Sequence, residues 1–344
     1  MLSDNFHAVH REALFIDMHY DAPFSVESRR EKGEKNVLAR LFLPSWEKGG
    51  VKASFLIVGG DSDVHPQTLA STLRRAEQVL LDFEESNSKV VQVTNAKELE
   101  QAWQKNQFGG FLALEGGMPL EGSLENLRIL FRYGIRSIQV THNRRNQIAD
   151  GVGEACTGGG LTTFGKKVIR RMNELGIIID LSHLSEAGFW SIIECTDAPI
   201  IVSHSNSKSI CNHVRNLTDK QLEAVAKNGG VVGINFFPPF VDSQNPTIEH
   251  VLNHIDHFKL IMGIDHIGIG TDFFDFMREH VVENVLSKDQ VYANQEFNLI
   301  KGLEGMVELP YLTKGLIERG YSVGEINKIL GQNTLNLIRK VVGT

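Results

Sequence analysis

Short apolar runs rich in Val, Ile and Phe alternate along the chain with longer amphipathic segments. Alternation of this kind predicts β-α-β units and a parallel sheet. Eight runs have the length and composition of strands, at residues 14–18, 53–58, 110–114, 137–141, 176–181, 200–203, 231–236 and 266–270. Eight strands that alternate with helices predict an α/β fold, specifically a (β/α)8 barrel of the TIM type.

The segments between these runs have helical character. They predict helices at residues 66–86, 123–133, 163–175, 186–196, 218–228 and 247–262. The helix at 218–228 has clear end signals, because Thr218 and Gln221 have the spacing of a capping box and Gly229 follows the last turn.

The length of 344 residues fits one elaborated barrel as well as it fits two domains. No Pro- or Ser-rich linker divides the chain, and no internal repeat is present. We therefore expect residues 1–344 to form a single domain, with the barrel at about residues 13–275. Residues 276–344 are too many for one crossover and predict peripheral C-terminal helices, two of them at 323–330 and 334–342.

Composition narrows the class of protein. A hydrophobic fraction of 42% permits a large core, and 35 Lys+Arg against 42 Asp+Glu give a net charge of −7. Without a long basic run, this charge argues against nucleic acid or an anionic membrane as a partner. The N-terminal segment is polar from its start, and no apolar window of about 18 residues occurs anywhere. We expect a soluble, cytoplasmic protein.

The cysteines do not indicate the chemistry of the protein. Cys156, Cys195 and Cys211 are odd in number and form no C-x-x-C pair. A disulfide framework or a thiolate zinc site is therefore not expected. The thirteen histidines carry more information, because several of them follow apolar runs.

Residues that bind metals follow most of the predicted strands. In a parallel barrel the carboxyl ends of the strands meet at one mouth, where catalytic groups collect. Five of the eight runs lead into a residue of ligand type, and a further run leads into a histidine. These residues are His19 with Asp21, Glu115, His183, His204 and Asp272, and then His142. Purely structural histidines would scatter over helices and loops, so the set predicts a divalent-metal site.

The number of donors indicates two metal ions. His19 and Asp21 are two residues apart, so both side chains would point to one ion on an extended chain. With His183, His204 and Glu115 as a bridge, the donors exceed the three protein ligands usual for a single catalytic zinc. A hydroxide held between two ions is a nucleophile at neutral pH, and the ions can polarise a carbonyl. The implied reaction is hydrolysis of an amide or ester.

Six motifs resemble, in this order, those of the membrane (renal) dipeptidase family, zinc-dependent dipeptidases of the metal-dependent amidohydrolase superfamily. They are His19-x-Asp21, Phe-Leu-Ala-Leu-Glu115-Gly-Gly, Thr-His142-Asn, Ile-Asp-Leu-Ser-His183, Ser-His204-Ser and Gly-Thr-Asp272-Phe. The resemblance covers nearly the whole chain. It rests on His-x-Asp in place of the commoner His-x-His, and on a glutamate bridge in place of a carbamylated lysine.

The resemblance implies two Zn2+ ions per chain. His19 and Asp21 would bind one ion, His183 and His204 the other, and Glu115 both. The implied reaction is hydrolysis of small dipeptides of the form L-Xaa-L-Xaa or L-Xaa-D-Xaa. The resemblance also suggests a homodimer.

The family's remaining roles fall on three residues. His142 matches the histidine that contacts the scissile carbonyl or its oxyanion. Asp272 matches the carboxylate that transfers protons and meets the substrate near the bridging water. Arg215 matches the arginine that binds the terminal carboxylate of the substrate, a task to which a guanidinium is suited.

Two other functions stay open at the level of sequence. A different metal-dependent amidohydrolase, acting on another small amide, an N-acyl amino acid or a lactone, would have the same fold and metals. A catalytically silent barrel used for binding is the second, although such a protein would be expected to have lost some ligands.

Three further histidines fall on one face of a predicted helix. His250, His254 and His257 have a spacing that could bind zinc, but the glutamate of an H-E-x-x-H site is missing. We expect this group to form a solvated helix face.

Overall fold

The structure is a computed structural model, and it describes residues 5–61, 68–274, 276 and 298–344. Nine parallel strands lie in these ranges: β1 Phe15–Tyr20, β2 Val51–Gly60, β3 Val90–Gln92, β4 Phe108–Glu115, β5 Ile135–Gln139, β6 Ile178–Asp180, β7 Ile201–Ser205, β8 Val231–Ile234 and β9 Ile267–Ile269. The sheet runs β2-β1-β9-β8-β7-β6-β5-β4, and pairing between β2 and β4 closes it. The predicted (β/α)8 barrel is confirmed.

One strand, β3, was not predicted, and it lies outside the ring of eight. It pairs with the first residues of β4, from Val90 opposite Phe108 to Gln92 opposite Gly110. The later residues of β4 pair with β5 instead. Three residues are too few to give a periodic signal, so this strand forms through its partner and not through its own sequence.

Helices follow the strands as the sequence predicts. They are Leu69–Glu85, Leu124–Arg132, Thr163–Leu175, Glu186–Ile193, Asp219–Asn228 and Ile248–Met262. Thr218 and Gln221 form the predicted capping box, and Gly229 ends the helix with a φ of 79°. The predicted helix start at residue 66 lies outside the described residues.

Several helices had no counterpart in the sequence analysis. They are Phe6–Glu12, Ala22–Arg30, Leu43–Lys48, Ala96–Gln104 and Pro238–Val241. The helix Leu309–Glu318 lies in the segment 276–344, for which peripheral helices were predicted. The C-terminal helices are present as Val323–Asn327 and Asn333–Val341, joined by a π-helical turn at Lys328–Gln332. Among the helices that the structure describes, none is long and apolar enough to cross a bilayer.

The barrel strands bury both of their faces. On β1, Ile16 and Met18 lie in one apolar cluster, and Phe15 lies in another. Successive side chains of a strand point to opposite faces. The first cluster therefore fills the barrel, and the second lies between the strands and the surrounding helices.

The C-terminal helix Asn333–Val341 covers the amino end of the barrel. Its Leu335 and Ile338 belong to the cluster inside the barrel. The hydroxyl of Thr334 lies 3.3 Å from the sulfur of Met18 on β1. The carboxyl end of the barrel, on the opposite side, is left for the polar residues that follow the strands.

Candidate metal centre

All eight strands of the barrel lead into a polar side chain at the carboxyl end. The residues in strand order are His19 and Asp21 from β1, Asp61 from β2, Glu115 from β4, His142 from β5, His183 from β6, His204 from β7, Asn235 from β8 and Asp272 from β9. Seven of these nine residues were predicted from the sequence. The structure brings those seven together, as the distances below describe.

Glu115 lies at the centre of the group. Its Oε1 atom is 3.3 Å from Nε2 of His183, 3.6 Å from Nε2 of His19 and 3.9 Å from Nε2 of His204. Nε2 of His142 lies 4.0 Å away. Four imidazole nitrogens from four different strands thus converge on one carboxylate oxygen.

His19 and Asp21 converge by a different route from the one that the sequence predicts. His19 lies in β1, but Asp21 has turned out of the strand and precedes the helix Ala22–Arg30 with a φ of −92° and a ψ of 15°. The expectation of two side chains on one extended chain is therefore wrong, since the chain turns at Asp21. The turn still places Oδ2 of Asp21 3.7 Å from Nε2 of His19, and Oδ1 of Asp272 lies 3.9 Å from that same nitrogen.

His183 and His204 face each other through their Nε2 atoms, which are 2.9 Å apart. Each Nδ1 atom is engaged elsewhere, that of His183 with Oδ1 of Asn143 at 2.7 Å and that of His204 with the hydroxyl of Ser203 at 2.8 Å. Hydrogen bonds at Nδ1 fix the orientation of a ring and leave Nε2 for a metal, which is the usual arrangement of histidine ligands.

The donor set fits divalent metal ions. Two nitrogen ligands about 2 Å from a tetrahedral zinc ion are about 3.3 Å apart, close to the spacings found here. Among the described residues, Nε2 of His19 and Oδ1 of Asp21 are buried without a hydrogen-bond partner. Three overlapping sets of donor atoms lie within 4.8 Å: His19, Glu115 and His204; Glu115, His142 and His183; His19, Asp21 and Asp272. A bound cation would give the buried atoms their missing partners.

The protonation equilibria at the site follow from burial and from the crowding of charges. Burial raises the pKa of the Glu115 carboxyl to about 8, although His19 lowers it. Burial lowers the pKa of His19, but Glu115 and Asp21 outweigh this effect, and the pKa rises to about 10. Burial lowers the pKa of both His183 and His204 well below the usual value. These two rings are therefore neutral near pH 7, as metal ligands must be.

The backbone is strained at two of the site residues. His183 has a φ of 64° and Asp272 a φ of 53°, in the left-handed region that residues other than glycine rarely adopt. Gly116, directly after Glu115, has a φ of 115°, and a side chain there would collide with the carboxylate of Asp61. Strain of this kind persists where the surrounding structure fixes the chain, and it is concentrated at functional sites.

Arg215 reaches the site from the loop after β7. It is 4% exposed, its guanidinium carbon lies 5.3 Å from the ring centre of Phe240, and its carbonyl accepts a hydrogen bond from the hydroxyl of Ser205. Its positive charge lowers the pKa of Glu115 and of Asp272, against the larger effect of burial. The guanidinium is therefore near enough to Glu115 and Asp272 for its charge to affect both carboxyl groups.

Comparison with known proteins identifies the family. The sequence profile of membrane dipeptidase (peptidase family M19) matches residues 3–343. The chain belongs to the membrane dipeptidase family. It is accordingly a metal-dependent hydrolase of the dipeptidase class, which sets aside the hypothesis of a silent barrel.

Relatives of this family member cover most of its length. Dipeptidase tcpJ of Claviceps purpurea (strain 20.1) is 29% identical over 338 residues, which are 95% of this chain and 74% of that protein. An amidohydrolase from Pseudomonas aeruginosa has a TM-score of 0.84 at 24% identity, covering 98% of this chain and 99% of that one. A metallo peptidase from Rhodobacter sphaeroides, liganded with a phosphinate mimic of L-Ala-D-Ala, has a TM-score of 0.81 at 24% identity, covering 96% and 99%. These two structures show that the fold is shared.

Two polar residues at the mouth of this membrane dipeptidase barrel were not predicted as site residues. Asp61 accepts hydrogen bonds from the backbone of His142 at 3.0 Å and of Met118 at 2.7 Å, so it ties together the loops that follow three strands. The amide of Asn235 donates to Oδ2 of Asp272 at 3.0 Å. Asp61 directly follows β2 and Asn235 directly follows β8, and a polar residue at the end of a strand was the available signal.

The prediction for the three histidines of the helix Ile248–Met262 is wrong in one respect. His254 is buried, with its Nδ1 accepting from the backbone of Ser207 and its Nε2 3.0 Å from the carbonyl oxygen of Val241. The helix packs against the loop that follows β7, so one of the three is a core residue and not part of a solvated face.

Proposed function

We propose that this protein is a binuclear zinc dipeptidase that hydrolyses small dipeptides of the form L-Xaa-L-Xaa or L-Xaa-D-Xaa. The observation that carries the proposal is the position of Oε1 of Glu115, within 4.0 Å of Nε2 of four histidines. A carboxylate surrounded in this way is suited to bridge two cations. Membership of the membrane dipeptidase family also supports a dipeptidase function.

The ligands divide into two sets. His19 and Asp21 would hold one ion, and His183 and His204 would hold the other, with Glu115 shared between them. The 2.9 Å separation of the two Nε2 atoms of the second pair supports this division. The 3.7 Å separation of Nε2 and Oδ2 in the first pair also supports it. Two zinc ions bound there would activate a water molecule at neutral pH and polarise the scissile carbonyl.

The residues around the metals supply the rest of the chemistry. His142 is partly exposed beside Glu115, where it can donate a hydrogen bond to the oxygen of the scissile carbonyl as negative charge develops. Burial raises the pKa of Asp272 to about 6, although His19 lowers it. A carboxyl that titrates near neutrality can accept a proton and return it to the leaving amine.

Arg215 would bind the terminal carboxylate of the dipeptide. Its charge acts on Glu115 and Asp272, so a carboxylate bound to it would lie at the edge of the catalytic cluster. Because the related metallo peptidase from Rhodobacter sphaeroides is liganded with a mimic of L-Ala-D-Ala, dipeptides with a C-terminal D-residue are the first substrates to test.

The test of the proposal is Glu115→Gln. An amide has one oxygen and no charge, so it cannot bridge two cations, and we expect metal content and dipeptidase activity to fall together. Metal per chain is measured by elemental analysis after dialysis, and turnover is measured on a panel of dipeptides that includes L-D pairs.

Glu125→Gln is the matched control, because Glu125 is exposed on the helix Leu124–Arg132 and lies outside the cluster. Two metals per chain with full turnover in Glu115→Gln would contradict the bridging role. The wild-type panel also includes N-acyl amino acids and lactones. Faster turnover of these than of every dipeptide would favour the other amidohydrolase function.

A further inference from the structure

Two buried carboxylates lie behind the metal ligands, and the chemistry above does not use either of them. Asp17 is in β1 and is fully buried, and Asp180 ends β6 and is 4% exposed. An ionised carboxylate is costly to bury unless hydrogen bonds compensate it. Both carboxylates make such bonds, and in each case the bonds join two neighbouring strands.

Asp17 joins the end of β1 to the end of β9. Its Oδ1 accepts a hydrogen bond from the backbone of Thr271 at 2.8 Å and another from the backbone of His19 at 3.3 Å. Its Oδ2 accepts a hydrogen bond from the hydroxyl of Thr271 at 2.9 Å. The next residue, Asp272, has its backbone N–H 3.4 Å from the carbonyl oxygen of His19. One carboxylate therefore fixes the chain at His19 and at Asp272 together.

Asp180 makes the equivalent connection between β6 and β7. Its Oδ1 accepts from the backbone of Ser182 and of Ser203, both at 3.0 Å. The hydroxyl of Ser203 contacts Nδ1 of His204, and the hydroxyl of Ser182 accepts from the backbone of His204 at 3.1 Å. His183 follows Ser182 directly. Asp180 therefore fixes the chain that carries both of these histidines.

Regular strand pairing is minimal at these two places. The described pairing of β1 with β9 has one register pair, at Asp17, and that of β6 with β7 also has one, at Asp180. At these two places the carboxylates connect neighbouring strands, as backbone hydrogen bonds do elsewhere in the sheet. Their oxygens accept from backbone N–H groups and hydroxyls, so they act on ligand positions and not as ligands.

We propose that Asp17 and Asp180 are positioning residues and that each controls one of the two metal sites. Asp17 sets the site formed by His19 and Asp21, and Asp180 sets the site formed by His183 and His204. This inference rests on the proposed binuclear function.

The experiment compares Asp17→Ala and Asp180→Ala with the wild type. Zinc affinity is measured for each of the two ions by competition with a chromophoric chelator. We expect each variant to lose about 10- to 100-fold in affinity for one ion and to keep the other, as when an outer partner of a metal ligand is removed. Asp17→Asn and Asp180→Asn should bind both ions much more tightly than the alanine variants, because the amide oxygen can still accept the backbone hydrogen bonds.

Double variants identify which ion is lost. Asp17→Ala combined with Asp21→Ala should bind no fewer ions than Asp21→Ala alone, because both changes affect the same site. Asp17→Ala combined with His204→Ala should bind neither ion tightly. Asp180→Ala combined with His204→Ala should bind no fewer ions than His204→Ala alone. Asp180→Ala combined with Asp21→Ala should bind neither ion tightly.

Milder variants keep the test valid if an alanine variant does not fold, which circular dichroism in chelator would show. Thr271→Val removes the hydroxyl bonded to Asp17, and Ser203→Ala removes the hydroxyl that contacts Nδ1 of His204 in the segment that Asp180 holds. Each should lower the affinity for the corresponding ion several-fold. Equal loss of both ions, or no loss, in folded variants of a wild type that binds two would overturn this inference. A wild type that binds fewer than two ions would instead contradict the proposed function.

Discussion

At the scale of single residues, the site depends on groups held in costly states. His183 and Asp272 have left-handed backbone conformations. Glu115 is a partly buried and His19 a fully buried ionisable group, and their pKa values depend on each other. Such costs are offset by the fixed surroundings, including the hydrogen bond from Asn235 to Asp272. The role of an individual residue can therefore be tested only by a change that leaves these surroundings intact.

Arg215 can be tested in this way by comparing an alanine variant with a lysine variant that keeps the charge. We predict that Arg215→Ala raises the KM for free dipeptides by about 10- to 100-fold, since a hydrogen bond to a charged group contributes about 1.5–3 kcal/mol. Arg215→Lys should recover part of the loss, because it keeps the charge but not the two-pronged geometry. Steady-state kinetics on free and C-terminally amidated dipeptides check the prediction, with zinc content measured beside them. An unchanged KM for free dipeptides would show that Arg215 is not the carboxylate ligand.

At the scale of elements, helix ends were more predictable than contacts between helices. The capping box at Thr218 and the glycine end at Gly229 are local and follow from adjacent residues. By contrast, the helix Phe6–Glu12 packs on Leu309–Glu318, about 300 residues away along the chain. His10 makes this contact specific, with Nδ1 2.7 Å from the hydroxyl of Thr313 and Nε2 2.7 Å from the carbonyl oxygen of Gly49.

His10 should make the stability of this helix contact depend on pH. Burial lowers the pKa of His10 to about 4, from the ordinary 6.5. The unfolded chain therefore binds a proton first as the pH falls. The contribution of the neutral imidazole is fully present above about pH 6.5, and up to about 3 kcal/mol is lost by pH 4.

The measurement is urea unfolding of the wild type and of His10→Gln, in chelator, between pH 4 and 7.5. We expect the difference in unfolding free energy between the two proteins to shrink as the pH falls through this window. His7→Gln is the control on the exposed side of the same helix and should show no such trend. A difference that stays constant with pH would argue against a neutral, buried His10.

At the scale of the whole molecule, the C-terminal segment closes the barrel at the end opposite to the metal site. The chain passes so close to β1 at Gly331 that a methyl group there would collide with the carbonyl oxygen of Leu14. That neighbour is backbone and cannot move aside, so the close approach requires glycine. The last helix, Asn333–Val341, thus contributes to the packing inside the barrel.

Gly331→Ala should therefore destabilise the whole protein. We predict a loss of about 1–3 kcal/mol or more in the free energy of unfolding, the usual range for overpacking. Gly324→Ala, in the preceding helix, is the matched control, because a methyl group there meets only the hydroxyl of Ser322 at 4.0 Å. The control should be neutral or slightly stabilising, since alanine favours a helix. Equal midpoints for the two variants in urea unfolding would contradict the close packing.

The pattern of residues along the chain is sufficient to predict the barrel and the residues that gather at its mouth. Apolar runs mark the strands, and the carboxyl ends of parallel strands meet at one edge, so the residue after each run identifies the site. That rule led to His19, Glu115, His183, His204 and Asp272 without knowledge of any distance. The sequence motifs also indicated the family to which the chain belongs.

Features that depend on contacts between distant parts of the chain could not be predicted in this way. The strand β3, the burial of His254 and the turn at Asp21 each depend on neighbours that no local pattern encodes. The same holds for Asp17 and Asp180, which lie within two of the predicted strands but had no role until their partners after β9 and on β7 were known. Periodicity reports which face of an element is buried, whereas hydrogen-bond partners are fixed only when the strands close into a barrel.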